Sequence, residues 1–365
     1  LPPALVPSLL SGVRLLTRDY GVTAVFMTAT QPAFDHVAPL VLPEKYDWKP
    51  MEISSNPGAM AETLNRTRIE LPAPKATLAW PDLAQRLAAE SQSLCVVNTT
   101  KDARELFQLL TGIKPDGVFH LSARMCAAHR QEKLKEIRRR LDPNTNEPCR
   151  LVSTQLIEAG VDVDFPIAFR ALGPLDSIIQ TAGRCNREGR HLEACPVVIF
   201  RPIEIKLPQG AYAMATVKTE EFLARHPGAL LHQPETYRKY FAELYKLIGP
   251  AKAEADKVFK LCIDFNFPAA AEACRLVGDE TRAILVKWKR GAVLAEKLGK
   301  EKHLTATECR EAQRYSVNLY HHEFLDAQSK GYIYQPAADW NFWVWNSKYD
   351  EHMGACHPEG NDFIS

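Results

Sequence analysis

The sequence predicts an α/β fold: a parallel sheet with helices on both faces, then a helical stretch and a small α+β C-terminal domain. Two observations carry this. Between residues 67 and 210, short apolar β-prone runs alternate with amphipathic helical stretches, the rhythm of a parallel sheet covered on both sides. After Pro208 the strand signals thin out, and they return only near residue 280. A chain of 365 residues that is 46% hydrophobic is long enough for more than one core.

Residues 1–40 open with a helical stretch whose Leu5, Leu9, Leu10, Val13 and Leu16 share one face. Gly21 follows, and then Val22 to Met27, a short apolar run expected to be a buried strand. Residues 43–66, rich in Pro, Ser, Asn and Gly, are expected to be a linker. Ile69 and Leu71 start a new strand. The expected order then runs: helix Pro81–Glu90, strand Leu94–Val97, helix Asp102–Leu110, strand Val118–Leu121, helix Met125–Leu141, strand Leu151–Ser153, strand Ile167–Arg170, a helix from Leu175, and strand Cys195–Phe200. Asp102 places an acid in its helix's first turn, ahead of an apolar face at Ala103, Leu106, Phe107 and Leu110. Residues 211–275 look helical. The final segment, 276–365, reads as strand Ala283–Val286, helix Ala292–Leu298, strand Tyr315–Leu319, helix His322–Gln328 and an aromatic run from Trp340 to Trp345.

Lys+Arg 45 against Asp+Glu 44 leaves a net charge of +1, so nucleic-acid binding would have to come from local patches. Lys133, Lys135, Arg138, Arg139 and Arg140 crowd one such helix, and Lys287, Lys289, Arg290, Lys297, Lys300 and Lys302 another segment. Both read equally as solvated faces or as strand-tracking surfaces. The nine cysteines form no C-x-x-C pair, which argues for buried thiols in a reducing compartment. No apolar run has the length of a membrane span, so no membrane partner is expected and the location is expected to be cytoplasmic.

The sharpest pattern is Gln180-Thr181-Ala182-Gly183-Arg184-Cys185-Asn186-Arg187. Gly183 lets the backbone turn and a ligand approach. Arg184 and Arg187, three apart, can turn both guanidinium forks one way, which suits a phosphate whose charge grows during transfer. Such an arginine contributes about 10³ to 10⁵ in rate, roughly 4 to 7 kcal/mol of transition-state stabilisation. Upstream, Ser153 to Asp162 leaves a strand end through a polar loop: the Thr154 hydroxyl can hold a phosphate oxygen, Gly160 permits close approach, and Asp162 can bond a ribose hydroxyl. Taken singly, each could be an ordinary loop or a solvated helix end. Their order decides: Thr28-Ala29-Thr30, Asn98-Thr99-Thr100, Ser122-Ala123-Arg124, the 154–162 loop and Gln180–Arg187 all sit at strand ends or at the helix after one, and in open α/β sheets those ends line the ligand crevice.

That order resembles motifs III, IV, IVa, V and VI of superfamily 2 helicases. Phe26-Met27-Thr28-Ala29-Thr30-Gln31-Pro32, Glu158-Ala159-Gly160-Val161-Asp162 and Gly183-Arg184-Cys185-Asn186-Arg187 are most similar to one branch, the CRISPR-associated helicase–nuclease of type I interference systems. Gln313 to Asn318 resembles its accessory domain. The resemblance implies a RecA-like sheet at 67–210, the end of a truncated first RecA-like domain at 1–42, a helical linker region at 211–275 and an accessory domain at 276–365. It makes Arg184 and Arg187 arginine fingers positioned by Gln180. Gly160, Asp162 and Gly183 would bind nucleotide, and Thr28, Thr30, Thr99, Ser122, Arg124 and Thr154 would grip single-stranded DNA. The implied activity is ATP-driven 3′-to-5′ translocation on single-stranded DNA, coupled to cutting by an HD nuclease domain. The implied cofactors are ATP and Mg²⁺, with nuclease metal ions in the HD domain. The implied partners are an RNA-guided type I surveillance complex and the N-terminal HD and first RecA-like domains.

The sequence carries no G-x-x-x-x-G-K-[ST], since Gly299-Lys300 is followed by Glu301. Asp350-Glu351-His352 comes after the arginine motif, in the wrong order for an acidic Mg²⁺ box. His352, Cys356 and His357 lack a further pair at zinc spacing, so no metal site is expected. The chain is therefore expected to be cut inside the first RecA-like domain and inactive alone. Two alternatives stay open: a non-catalytic single-strand-binding or partner-binding fragment or split subunit, and another superfamily 2 RNA or DNA-repair helicase.

Overall fold

The structure, a computed structural model, describes residues 6–28, 51–208, 210–247, 250–274, 281–301, 303–336 and 342–356. Two compact units emerge: residues 1–65, 173–180 and 208–278 in one, and residues 66–172, 181–207 and 279–365 in the other. No described helix is long and apolar enough to cross a membrane.

The larger unit is built on a six-stranded sheet of β1 (Thr67–Glu70), β2 (Gln92–Val96), β3 (Val118–Leu121), β4 (Cys149–Ser153), β5 (Ala168–Ala171) and β6 (Cys195–Phe200). The spatial order is β1-β6-β5-β2-β4-β3 and every pairing is parallel. This is the RecA-like sheet flanked by helices that the sequence predicts. Every residue of β4 and β5 is buried, Arg150 and Arg170 included, because a central parallel strand is covered on both faces. Helices Trp80–Ala89 and Thr100–Ile113 cover one face. Their Leu83, Leu87, Leu106 and Leu110 meet Cys95, Val97, Val152 and Phe169 in one cluster. Each such leucine contributes roughly 1.5–3 kcal/mol of burial, and Leu106→Ala would cost about 2–5 kcal/mol. The second helix begins where Thr99 accepts a hydrogen bond from the Asp102 N–H at 3.1 Å.

The connection leaving β2 runs towards β3 at one edge, and the connection leaving β5 runs towards β6 on the opposite side. The chain order thus reverses between β2 and β5, and the crevice at their carboxyl ends is where such sheets place ligands.

The same unit contains a C-terminal α+β module. Strands β7 (Thr281–Leu285), β8 (Ser316–Tyr320), β9 (Ile333–Tyr334) and β10 (Trp343–Trp345) form a mixed sheet ordered β8-β7-β10-β9, and β11 (Tyr349–Asp350) pairs with β12 (Gly354–Ala355). Ile284, Val317, Phe324 and Trp345 form one core, and Leu285, Leu294, Leu298 and Val344 another. The module docks behind the turn after β3. Tyr349 Oη accepts from the Cys126 N–H at 3.0 Å and lies 3.0 Å from His129 Nδ1. The His129 ring stacks on Trp288 at 4.6 Å, and Ala355 donates its N–H to the Arg124 carbonyl at 2.9 Å.

The smaller unit is helical. Tyr240, fully buried, donates to the Ala215 carbonyl at 3.1 Å and meets Phe222 edge-on at 5.7 Å. Val6 and Leu10 bury one face of helix Val6–Asp19 beside Phe26 and Tyr245, while Leu9 and Leu16 are exposed and Leu5 lies outside the described residues.

Several expectations need adjusting. Val22 to Met27 is not a strand: it carries no regular structure, and Met27 is 89% exposed. A β-prone run without a neighbouring strand has nothing to pair its backbone, and no described strand lies beside it. Within the expected linker, residues 57–63 form a helix capped by Asn56, and residues 43–50 lie outside the described residues. Helix Met125–Leu141 begins at Ala127. Helix Ala306–Arg314, which starts from a capping box of Thr305 and Glu308, was not expected. Of the aromatic run, Trp343–Trp345 is a strand and Trp340 lies outside the described residues.

Candidate functional site

The loop after β4 and the segment after helix Leu175–Ala182 meet edge to edge. Phe165 donates its N–H to the Arg184 carbonyl at 3.0 Å, and Asn186 returns a bond to the Phe165 carbonyl at 2.9 Å. This parallel bridge fixes which side chains of the two segments face each other. Arg187, half exposed, donates through Nε to Asp162 Oδ1 at 2.9 Å and through Nη1 to the Gly183 carbonyl at 3.3 Å. Arg184 is half-buried. Its Nε donates to the Ile157 carbonyl at 3.1 Å and its Nη2 to the Glu158 carbonyl at 2.5 Å. Burial, with Arg187 nearby, lowers the Arg184 pKa from its ordinary value, and the two carbonyls supply the acceptors that a half-buried fork needs. The two forks thus take different partners: Arg187 points to the exposed acid, and Arg184 braces the loop that carries it.

Gly160 sits at φ +69° in open space, a conformation that favours glycine and leaves the backbone approachable. Asp162 is exposed; its carbonyl also accepts from Arg138 Nε at 2.9 Å. Gly183 is exposed, and Gln180 is half-buried within helix Leu175–Ala182.

The expected strand-phosphate residues are distributed less evenly. Thr99 is half-buried and caps its helix as an acceptor, which leaves its hydroxyl proton for another partner. Asp102, beside it, has its carboxyl pushed up to about 6 by burial, against the lowering effect of the Thr99 bond. Ser122 is fully buried, with Oγ accepting from the Arg124 N–H at 3.3 Å. Arg124 commits its fork to Glu323, with Nη1 to Oε2 at 3.1 Å. Thr154 is buried and its N–H bonds the Leu121 carbonyl at 3.3 Å. Thr28 is exposed, and Thr30 lies outside the described residues.

Three further groups were not singled out from sequence. Asp164 accepts from the N–H groups of Arg187 at 2.6 Å and Glu188 at 3.2 Å, holding the arginine segment by its backbone. Asn186, buried at φ +47°, donates through Nδ2 to the His191 carbonyl at 2.9 Å and accepts the His191 N–H at 3.1 Å. Arg170 on β5 is completely buried and links Asn98 to Glu158. The available signal for Arg170 was a lone charge inside the apolar run Ile167–Ala171.

A parallel sheet with helices on both faces thus carries a Gly-containing loop and a two-arginine segment, bridged to each other at its ligand-binding edge. Residues 89–190 match the family described as CRISPR-associated nuclease/helicase Cas3, C-terminal. The CRISPR-associated nuclease/helicase Cas3 of Methanothermobacter thermautotrophicus is 29% identical over 228 residues, covering 59% of this chain and 26% of that relative. A T. fusca Cas3 solved with ATP superposes at a TM-score of 0.53 and 15% identity, covering 81% of this chain and 40% of that one. A chain of a CRISPR RNA-guided surveillance complex in a pre-nicking state superposes at 0.53 and 15% identity, covering 84% of this chain and 46% of that one. Residues 89–190 are thus similar to the C-terminal part of Cas3, and the chain spans well under two thirds of these relatives.

Proposed function

We propose that this chain is the C-terminal part of an ATP-dependent 3′-to-5′ single-stranded DNA translocase that works with an HD nuclease domain in type I CRISPR interference. The carrying observation is the convergence of Arg187 and Arg184 on the 157–162 loop. In this reading residues 1–42 end the first RecA-like domain, 67–210 form the second, and 276–365 form the accessory domain. The donor set fits a nucleotide: an exposed guanidinium for phosphate, an exposed carboxylate for a ribose hydroxyl, and a glycine that lets the backbone come close. ATP supplies the free energy of γ-phosphate transfer. Arg187 offers its fork to the phosphate as the ion pair with Asp162 is exchanged. Arg184 holds the loop through its two carbonyl bonds, and Gln180 helps position both. In this reading Mg²⁺ binds with ATP mainly through the first RecA-like domain, and the nuclease metal ions through the HD domain.

Among Thr99, Ser122 and Thr154, Thr99 is the least buried strand-phosphate candidate. Arg124 would take that role only by leaving Glu323, and the buried Ser122 and Thr154 only if their loops open. Thr28 and Thr30 are assigned to coupling. The shared fold with a chain of a surveillance complex supports recruitment by such a complex, and with it a cytoplasmic location. Steady-state ATP hydrolysis tests the reading. The full-length protein is expected to turn over ATP with stimulation by single-stranded DNA above RNA, and this chain alone to be inactive. DNA-stimulated turnover by this chain alone, or a full-length protein indifferent to DNA, would overturn it.

A further inference from the structure

The crevice between β2 and β5 is crossed by the Arg170 side chain. Arg170, at the end of β5, donates through Nη1 to Asn98 Oδ1 at 2.8 Å and to the Ala171 carbonyl at 2.8 Å, and its Nη2 lies 3.0 Å from Glu158 Oε1. Asn98 is the residue after β2, next to the strand-phosphate candidate Thr99. Its Nδ2 donates to the Leu172 carbonyl at 2.8 Å, and its own carbonyl accepts from Gln155 Nε2 at 2.9 Å. Glu158 is buried, and its backbone carbonyl receives Arg184. A continuous hydrogen-bonded path therefore runs Asn98–Arg170–Glu158–Arg184, from the strand-facing turn to the arginine segment. All of it lies in one compact unit.

A buried ion pair is weak evidence for stability, since apolar residues of similar volume often serve as well. A planar fork that bonds two separate segments is different, because it fixes both at once and no single point charge replaces it. We propose that Arg170 is a positioning residue that couples the Asn98–Thr99 turn to the arginine-bearing loop, so that strand engagement and nucleotide engagement bias one another. The assignment rests on the ATP-driven translocase reading and deepens it. When a strand phosphate draws the Asn98–Thr99 turn, Arg170 transmits the shift to Glu158 and thereby to the carbonyl that holds Arg184.

The test uses the full-length protein with Arg170→Lys, and separately the apolar pair Arg170→Met with Glu158→Leu. Thermal melting is recorded, together with the Kd for a labelled single-stranded oligonucleotide with and without a non-hydrolysable ATP analogue. Wild type is expected to show a nucleotide-dependent change in Kd. In both variants that change is expected to shrink by at least about fivefold while the nucleotide-free Kd stays within about twofold. Lysine keeps the charge but not the planar fork that sends Nη1 to Asn98 and Nη2 to Glu158, so rescue by Arg170→Lys would mark a structural charge and overturn the proposal. A folded apolar pair with wild-type coupling would overturn it too. If both variants fail to melt cooperatively, Asn98→Ala, which removes one acceptor and leaves the Arg170–Glu158 pair, is expected to lose the same coupling, and full coupling there is disproof. Wild type showing neither nucleotide-dependent Kd nor DNA-stimulated turnover would overturn the translocase reading itself, an outcome distinct from all of these.

Discussion

Arg187 and Asp162 form an ion pair in which both partners face solvent, at 42% and 72% exposure. Such a pair contributes only about 0.2–1 kcal/mol and is readily exchanged. A phosphate group carries more charge and more acceptor oxygens than the carboxylate, so it competes well for the same fork.

Arg187→Ala in the full-length protein is therefore expected to lower ATP turnover by about 10³-fold or more and to abolish unwinding. Single-strand binding should survive, since the fork does not touch the turns proposed to hold the strand. Steady-state hydrolysis and equilibrium oligonucleotide binding check this together. Normal unwinding by the variant would remove the finger role.

Arg124→Ala should destabilise this chain without any ligand present. Arg124 and Glu323 are 12% and 7% exposed, and the carboxylate left behind would be buried without its guanidinium. That costs about 3–5 kcal/mol. Glu323 also accepts the Tyr320 N–H at 2.8 Å, so it cannot simply turn to solvent. Denaturant melts of wild type, Arg124→Ala and Arg124→Ala with Glu323→Gln would show the loss and its partial recovery; a wild-type midpoint for the single variant would contradict it.

Gly354→Ala should weaken docking of the C-terminal module. Gly354 sits at φ +84°, and a Cβ there would lie 2.3 Å from the Arg124 carbonyl oxygen, which is backbone and cannot swing aside. Backbone strain of this kind costs about 1–3 kcal/mol, and the clash adds to it. Amide hydrogen exchange is expected to rise at Ala355 and in residues 343–350, while the β2–β5 core keeps its protection. Unchanged exchange at Ala355 would count against the geometry.

Acid should loosen the same docking surface. Burial pushes the pKa of His120 down to about 4 and that of His129 down to about 4. Around His120 stand Phe107, Arg104, Asp350, His352 and His129; around His129 stand Trp288, Tyr349, Lys133, Glu132 and Glu351. Unfolded histidine titrates near 6.5, so between about pH 6.5 and 4 the unfolded chain binds more protons and stability falls as the pH drops. Each ring accounts for roughly 1–3 kcal/mol across that window. Asp102, raised to about 6, acts oppositely: its contribution is present at low pH and is lost as the pH rises through the same window. The melting temperature should therefore fall on acidification from pH 6.5 to 4.5, less steeply in His129→Phe. A flat profile would refute the assignment of neutral buried rings.

The sheet was legible because its strands are short apolar runs between amphipathic helices, and β2 to β6 lie close to the predicted runs. Val22–Met27 misled because β propensity measures fit to a sheet, and a run cannot be a strand without a partner. The arginine segment and the 154–162 loop could be seen as separate patterns. That Phe165 bridges Cys185, and so brings Arg187 to Asp162, depends on long-range register that no local pattern encodes. The commitment of Arg124 to Glu323, 199 residues away, was invisible for the same reason. Arg170 was the one buried participant with a readable sign, a charge where the strand's neighbours are all apolar.

Glu323 serves two structures at once: it closes the first turn of helix His321–Ser329 and neutralises Arg124. Cutting the chain near Asp279 to obtain the sheet alone would strip that carboxylate from Arg124 and uncover Cys126 and His129. The excised module would keep a carboxylate whose second partner is gone. Dissection experiments should therefore retain residues 279–356 with the sheet, because a shorter piece would lack part of its own interior.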